Sequence, residues 1–522
     1  MPQMTPQIEQ GAEKATERIA LINGRIRTPK GLADSVMIEA GRVASVGASP
    51  VSRAGGAKVV DLRGRTVFPG FCDSHARFMR WACAREQVQL DGRRSIDDLR
   101  TALNAFVAER SPLGGWRQGY GWDRELLMGV EPTRQDLDPI VPDVPTILWS
   151  RGAHEAVVNT VALQAAGITR ETRVESGLVQ LGPDGEPTGL LRGDAVALVA
   201  RRIPPLGDEE LSRVLRTHAP EAAALGLTEI CSDDLSLFGG DFRRARRLFM
   251  GAATSGWLPF RLRSQLHIPE LERFLNFLSD GWRSGDGIPF YQVGPLKLLC
   301  DDAPGDAGPR HQGALLQQEE LDELVLAAHL AGMQVALHAA GREALDRALT
   351  SFERAQARRS ALSRHLVLHA QAADDDQLDR MRRLRIGAVV HPCSLPEGQE
   401  PGGPFFRWHS MMRGTGGGIV LSFGSDAPDW VSPPLACIQA AVTRMSEERL
   451  SVAEAFGACT WNGAWNGRNE GRRGEIAPGR DADLVVLDQD PFAVSPEDLA
   501  DVGVAMTVCA GRVVYDPNGL LL

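Results

Sequence analysis

The chain has 522 residues, 43% hydrophobic and 24% charged, with a formal net charge of −10. This balance excludes wholesale disorder, is enough chain for roughly two to four domains, and lacks the basic excess that a nucleic-acid partner calls for. No apolar run reaches the length of a membrane span. Residues 1–18 are polar, without the apolar centre of a secretory signal, and read as a mobile lead-in to a cytoplasmic protein. The eight cysteines are scattered with no C-x-x-C pair, the pattern of reduced thiols and not of a disulfide framework.

Short strands are predicted first: Ile19–Ile22, Val36–Ile38, Val43–Val46 and Val59–Leu62, separated by Asn23-Gly24, Ala40-Gly41 and Gly55-Gly56, which supply the positive φ of hairpin turns. The far end repeats the style in Leu484–Leu487, Val502–Val508 and Val513–Tyr515. Residues 19–66 and 471–522 are therefore expected to build one small β-sandwich domain, since neither half has much core alone. Between them, residues 67–470 alternate strand-like and helix-like segments. The strand candidates are Val67–His75, Leu227–Cys231, Pro259–His267, Val293–Leu299, Met333–His338, His365–His369, Ile386–Pro392 and Ile419–Gly424. Helical periodicity runs through Glu319–Leu330 and Glu343–Ala355. Eight strands alternating with helices predict an α/β fold, a (β/α)₈ TIM barrel. About 150 residues separate the first and second strands, far beyond an ordinary crossover, so residues 77–225 are expected to form an inserted subdomain.

Metal-capable side chains fall at the ends of these strands. His75 ends the first, Lys297 is near the end of the fourth, His338 ends the fifth, His369 ends the sixth, and Asp426 follows the eighth. In a barrel these ends share one face, where chemistry is located. Singly, each residue has a plain structural explanation; their joint placement points to a metal. His154, His218, His267, His311, His329, His365, His391 and His409 read as core or surface residues, although His154 and His391 sit beside strand ends. Trp81, Trp116, Tyr120, Trp122 and Trp149 in the insertion either wall an apolar pocket or fill the insertion's own core. Trp122, His154 and His391 are the candidates for substrate contact.

The segment Phe68-Pro69-Gly70-Phe71-Cys72-Asp73-Ser74-His75 resembles the opening signature of metal-dependent amidohydrolases. Gly115 through Asp123, Asp184 through Gly189, His338-Ala339-Ala340-Gly341, His369-Ala370-Gln371, Ser425 through Pro428 and Gly474 through Leu484 continue it. Together they are similar to the branch containing N-substituted formamide deformylase. The resemblance implies that His75, Lys297, His338, His369 and Asp426 surround a divalent metal, zinc first with manganese or iron as alternatives. It also implies a carboxylated Lys297, and Asp426 as general base beside the metal-bound water. A homodimer is a habit of the family.

The chain departs from the family's His-x-His at the first strand, where it reads His75-Ala76-Arg77. A guanidinium has no available lone pair and stays protonated, so Arg77 cannot replace an imidazole ligand, and it adds positive charge where a second cation would sit. Arg342, Leu368 and Asp301-Asp302 are further departures. The leading expectation is a hydrolase of an amide-like or other C–N bond in a small molecule, with one metal ion and with Asp426 and Arg77 as catalytic residues. Two other readings stay open: a degenerate barrel that binds a small ligand without hydrolysis, and an enzyme of repurposed, non-hydrolytic chemistry that uses Arg77.

Overall fold

The computed structural model describes residues 18–47, 56–301, 315–393, 405–413, 417–428, 433–444 and 447–521. The expected lead-in therefore lies, except for Arg18, outside the described residues, as do His311 and Asp302.

The barrel strands are β1 (Phe71–Ala76), β2 (Leu227–Ser232), β3 (Arg261–His267), β4 (Tyr291–Leu299), β5 (Val335–Ala339), β6 (Leu366–His369), β7 (Gly387–Val390) and β8 (Leu421–Phe423). They form one sheet in sequence order, each parallel to the next. Nearly every residue of these strands is buried; β5, β6 and β7 are correspondingly apolar along most of their length, whereas β2 and β3 bury Glu229, Arg261, Arg263 and Gln265. The circuit is completed just beyond β8: the Asp426 N–H donates to His75 O (2.9 Å) and the Arg77 N–H to Ala427 O (2.8 Å). Gly424 permits this approach, because a Cβ there would lie 2.8 Å from the backbone N and O of His75. The chain thus has the (β/α)₈ architecture expected of it.

Helices fill the crossovers. Arg342–Arg358 buries Ala344, Leu345, Ala348, Leu349, Phe352 and Ala355, an inward stripe at three- and four-residue spacing. Asp375–Leu384 starts where Asp374 accepts from the Gln377 N–H at 2.9 Å, a capping arrangement that satisfies a helix-end donor.

The expected first strand, Val67–His75, is two strands. Thr66–Pro69 pairs antiparallel with Leu484–Leu487, and β1 begins only at Phe71. The break is at Gly70, whose N–H donates to Asp483 O (2.9 Å). A Cβ there would meet the Thr228 side chain at 2.3 Å. An apolar run shows that a segment is buried, not which sheet buries it.

The chain ends contribute two sheets. One runs Arg42–Val46, Val36–Glu39, Ile19–Ile22, Lys58–Asp61. The other runs Arg512–Tyr515, Val504–Cys509, Leu484–Leu487, Thr66–Pro69, Arg25–Thr28, Gly31–Ala33. Leu21, Ile38 and Val60 from the first share a core with Leu484, Val486 and Val508 from the second. Arg25–Thr28 has no apolar run, only Ile26 being fully buried, so sequence patterning passes over it. Ala40-Gly41 turns a hairpin, whereas Asn23-Gly24 hands the chain from one sheet to the other.

Buried charges tie the C-terminal segment to the barrel. Arg261 on β3 pairs with Asp483 (3.0 Å) and Asp481 (3.3 Å), and Arg473 pairs with Glu229 on β2 (2.7 Å); all five side chains are nearly inaccessible.

Residues Met79–Leu215 form a separate compact unit. Its six-stranded sheet runs Gly177–Leu181, Pro187–Gly193, Glu155–Val158, Thr146–Ser150, Arg117–Trp122, Val88–Gln89. Trp116 and Trp122 lie in its hydrophobic cores, and the Trp122 indole N–H donates to Leu148 O at 2.8 Å. Packing inside this unit accounts for Trp122. His154 is exposed on a turn.

Candidate metal centre

Six of the strand ends converge on one polar cluster. His75 comes from β1, Lys297 from β4, His338 from β5, His369 from the last position of β6, His391 from the residue after β7, and Asp426 from just beyond β8. These are the C-terminal ends of the strands, the face where barrel enzymes do their chemistry. All six are buried. The rings lie close together: His338 and His369 have centroids 4.2 Å apart, His369 and His391 4.4 Å, His75 and His391 5.6 Å.

Neighbouring groups fix how each side chain is presented. His75 Nδ1 is 2.8 Å from Gln265 Oε1, while the amide nitrogen of Gln265 faces Ser74 O and Cys231 Sγ. Nδ1 is therefore the donor and Nε2 holds the lone pair, 3.3 Å from Asp426 Oδ1. His391 Nδ1 lies 2.9 Å from Gly424 O. A carbonyl only accepts, so this ring too carries its lone pair on Nε2. His338 Nε2 stands 3.3 Å from Asp301 Oδ1. Asp301 in turn accepts from the N–H groups of Ala340 and Gly341, at the start of Arg342–Arg358. Asp73 accepts from the N–H of His75 (3.2 Å) and of Ser425 (3.0 Å), tying the β1 ligand to the segment after β8. Burial pushes the Asp73 carboxyl up to about 6.

Burial sets the protonation of the rings. It lowers His75 to about 4 and His338 to about 3, with the Lys297 charge adding to both, and it holds His369 and His391 below the usual imidazole value. For Asp426 burial works against ionisation, but the facing rings of His391, His75 and His369 outweigh it, and its carboxyl stays well below the usual carboxylate range. Neutral imidazoles around an ionised carboxylate are the protonation states that a divalent ion requires. His369 and Asp426 hold φ of 72° and 54°, left-handed backbone that side-chain-bearing residues rarely adopt and that concentrates at functional sites.

The expected residues are brought together, and the fold supplies the surroundings of three residues. Arg77 is buried and its Nη1 lies 3.3 Å from Asp426 Oδ1, the oxygen that His75 also faces. Lys297 Nζ pairs with Asp233 Oδ2 at 2.8 Å. Asp233 follows β2, and nothing in its local sequence distinguished it from a turn residue. Finally, His391, read from sequence only as a substrate contact, stands among the metal-capable rings. Among the described residues, one set of three offers ligand atoms all within 4.8 Å of one another: His369, His391 and Asp426. Of the remaining histidines, His329 and His365 hydrogen-bond each other in the core, His218 pairs with Glu221, and His267 Nδ1 lies 3.3 Å from Lys297 O.

The donor set fits a divalent cation. Both ring nitrogens of His338, and Nε2 of His369, are buried with no hydrogen-bond partner. Unpartnered buried polar atoms are costly and rare unless something else satisfies them. Imidazole nitrogen with carboxylate oxygen is a zinc-type ligand combination.

The model of the amidohydrolase family matches residues 58–515, and the chain belongs to that family. It is 31% identical to YtcJ of Bacillus subtilis (strain 168), over 88% of this chain and 90% of that protein. It is 26% identical to the N-substituted formamide deformylase of Arthrobacter pascens, over 96% of this chain and 99% of that one. Among solved structures it is similar to an uncharacterized metal-dependent hydrolase from Pyrococcus furiosus, with a TM-score of 0.71 and 26% identity, covering 91% of this chain and 100% of that one. Another from Pyrococcus horikoshii OT3 has a TM-score of 0.73 at 24% identity, covering 92% and 99%.

Proposed function

We propose that the chain is a metal-dependent hydrolase that cleaves an amide-like C–N bond of a small molecule, with one divalent ion, zinc before manganese or iron. The observation that carries this reading is the buried cluster of imidazoles with unsatisfied nitrogens facing the ionised Asp426. His369 and Asp426, with the imidazoles around them, would hold the ion. When bound, a divalent ion supplies a water of lowered pKa, about 7 instead of about 15.7, and polarises a carbonyl oxygen.

The chain's own groups do the rest. Gln265 and the Gly424 carbonyl fix the tautomers of His75 and His391 so that lone pairs and not N–H groups face the cluster. Arg77 donates to one oxygen of Asp426, orienting the carboxylate. The Asp426 carboxylate would take the proton of the attacking water and pass it to the leaving nitrogen, the general-base and then general-acid role. Arg77 is engaged with Asp426, which favours this orienting role over one as the electrophile of a non-hydrolytic reaction.

Lys297 Nζ stands 2.8 Å from Asp233 Oδ2, which bears on the carbamate that the family resemblance implies. Carboxylation would turn a cation into an anion beside the Asp233 carboxylate, exchanging an attraction for a repulsion.

The relative that deformylates N-substituted formamides directs the substrate screen to N-formyl and N-acyl amines. The test is elemental analysis of the purified protein together with turnover of such a panel. Stoichiometric zinc and chelator-sensitive release of an amine are expected. A protein that takes up neither zinc nor manganese would overturn the reading in favour of a ligand-binding barrel.

A further inference from the structure

The loss of an imidazole at position 77 raises the question of what completes the coordination in this chain. We propose that His391, at the end of β7, is a direct ligand of the catalytic ion, which sits on His369, His391 and Asp426 and not on a site built from β1. The inference rests on the proposed metal-dependent reading and assigns the ligands within it.

Three observations point the same way. First, His369, His391 and Asp426 bring their ligand atoms within 4.8 Å of one another. Metal–ligand bonds of about 2.0–2.2 Å in tetrahedral array place ligand atoms roughly 3.3 Å apart. Small side-chain rotations therefore close the set around an ion, without moving the strands.

Second, the tautomer of His391 is already that of a ligand. The Gly424 carbonyl, 2.9 Å from Nδ1, accepts a hydrogen bond from the Nδ1–H, which leaves the lone pair on Nε2. A backbone carbonyl on the far ring nitrogen is the usual support of a metal-bound histidine. Gly424 cannot readily change: a Cβ there would strike the His75 backbone, so the carbonyl that orients His391 belongs to the same tight segment that closes the barrel and presents Asp426.

Third, two of the alternative positions are taken. Arg77 occupies the β1 position with a group that cannot coordinate, 3.3 Å from Asp426. Lys297 is paired with Asp233. Two imidazoles and one carboxylate leave a fourth position for water or substrate, the ligand count of catalytic and not structural zinc.

The test uses the full-length protein loaded with zinc, and separately with cobalt(II), whose visible spectrum reports on its ligands. Anomalous scattering from crystals of the wild type should place the ion within bonding distance of His391 Nε2. In the His391→Ala variant, cobalt affinity should fall by more than 100-fold and the visible bands of any residual cobalt should shift, with the far-ultraviolet circular dichroism unchanged. An ion found on His75 or His338, away from His391, would overturn the assignment and leave the hydrolase reading intact. Full cobalt affinity in a folded His391→Ala variant would do the same. A wild-type protein that binds neither metal would overturn both. Should His391→Ala fail to fold, the anomalous map of the wild type decides alone.

Discussion

Arg77 Nη1 lies 3.3 Å from Asp426 Oδ1, so a fixed cation occupies the place where the family pattern puts a metal-binding imidazole. Two unit charges about 4 Å apart repel by roughly 4 kcal/mol at an effective dielectric of 20, and a divalent ion about doubles that. Asp426 offsets part of it, but the lost ligand is not replaced. The wild type should therefore bind one catalytic ion. Arg77→His removes the charge and supplies a second β1 imidazole, and it should raise the maximum to two. Elemental analysis with anomalous scattering on both proteins checks this; two fully occupied ions in the wild type would refute it.

His369 is central in every arrangement of the cluster, its ring lying next to both His338 and His391. His369→Ala should lose the ion and the activity together while the barrel stays folded. The loss should exceed the roughly ten- to hundredfold that outer-shell changes cause. Competition for zinc against a chelator of known affinity measures it, and wild-type affinity in this variant would remove His369 from the site.

Lys297 should remain an amine. Protein produced and stored with ¹³C-bicarbonate should show no carbamate carbon resonance, because Asp233 holds Nζ at 2.8 Å. Asp233→Asn removes that carboxylate and should make carbamate formation easier. A carbamate signal in the wild type would show that the pair opens.

Acid should destabilise the metal-free protein well above the carboxylate range. Burial, with the Lys297 charge, lowers His75 to about 4 in the fold, against an ordinary imidazole value of about 6.5. The unfolded chain therefore binds the extra proton first. Stability is full above about pH 6.5 and falls as pH drops toward 4, by about 3 kcal/mol for this ring alone. His338, lowered to about 3, acts in the same direction. Urea midpoints at pH 7.5 and pH 5 should differ clearly. His75→Asn, which leaves no ring to titrate, should shrink the difference, and an unchanged one would mean that His75 is not the titrating group.

Asp483 faces Arg261 through two contacts and its backbone carbonyl receives the Gly70 N–H. Asp483→Ala leaves a buried guanidinium short of its main partner. Removing one member of a buried pair costs about 3–5 kcal/mol, and thermal unfolding should show a lowered midpoint with metal stoichiometry unchanged. A change below about 1 kcal/mol would mean that Asp481 alone satisfies Arg261.

The fold class was legible because both of its signals are local. Several of the buried parallel strands are mostly apolar, and crossover helices such as Arg342–Arg358 repeat at three- and four-residue spacing, so alternation along the chain reports the barrel. His75, Lys297, His338, His369 and Asp426 were legible because strand ends in a barrel share a face: position along the chain alone predicts their convergence. Arg77 was legible as chemistry, since no fold can give a guanidinium a lone pair. What only the tertiary structure decided is which partner each of these groups has. The Gly424 carbonyl that turns His391 into a lone-pair donor, the Asp233 that holds Lys297, and the split of residues 66–76 between two sheets all arise from contacts between segments far apart in sequence. Periodicity records how deeply a residue is buried; the direction of a ring nitrogen or an ammonium depends on the atom across from it, which the fold alone supplies.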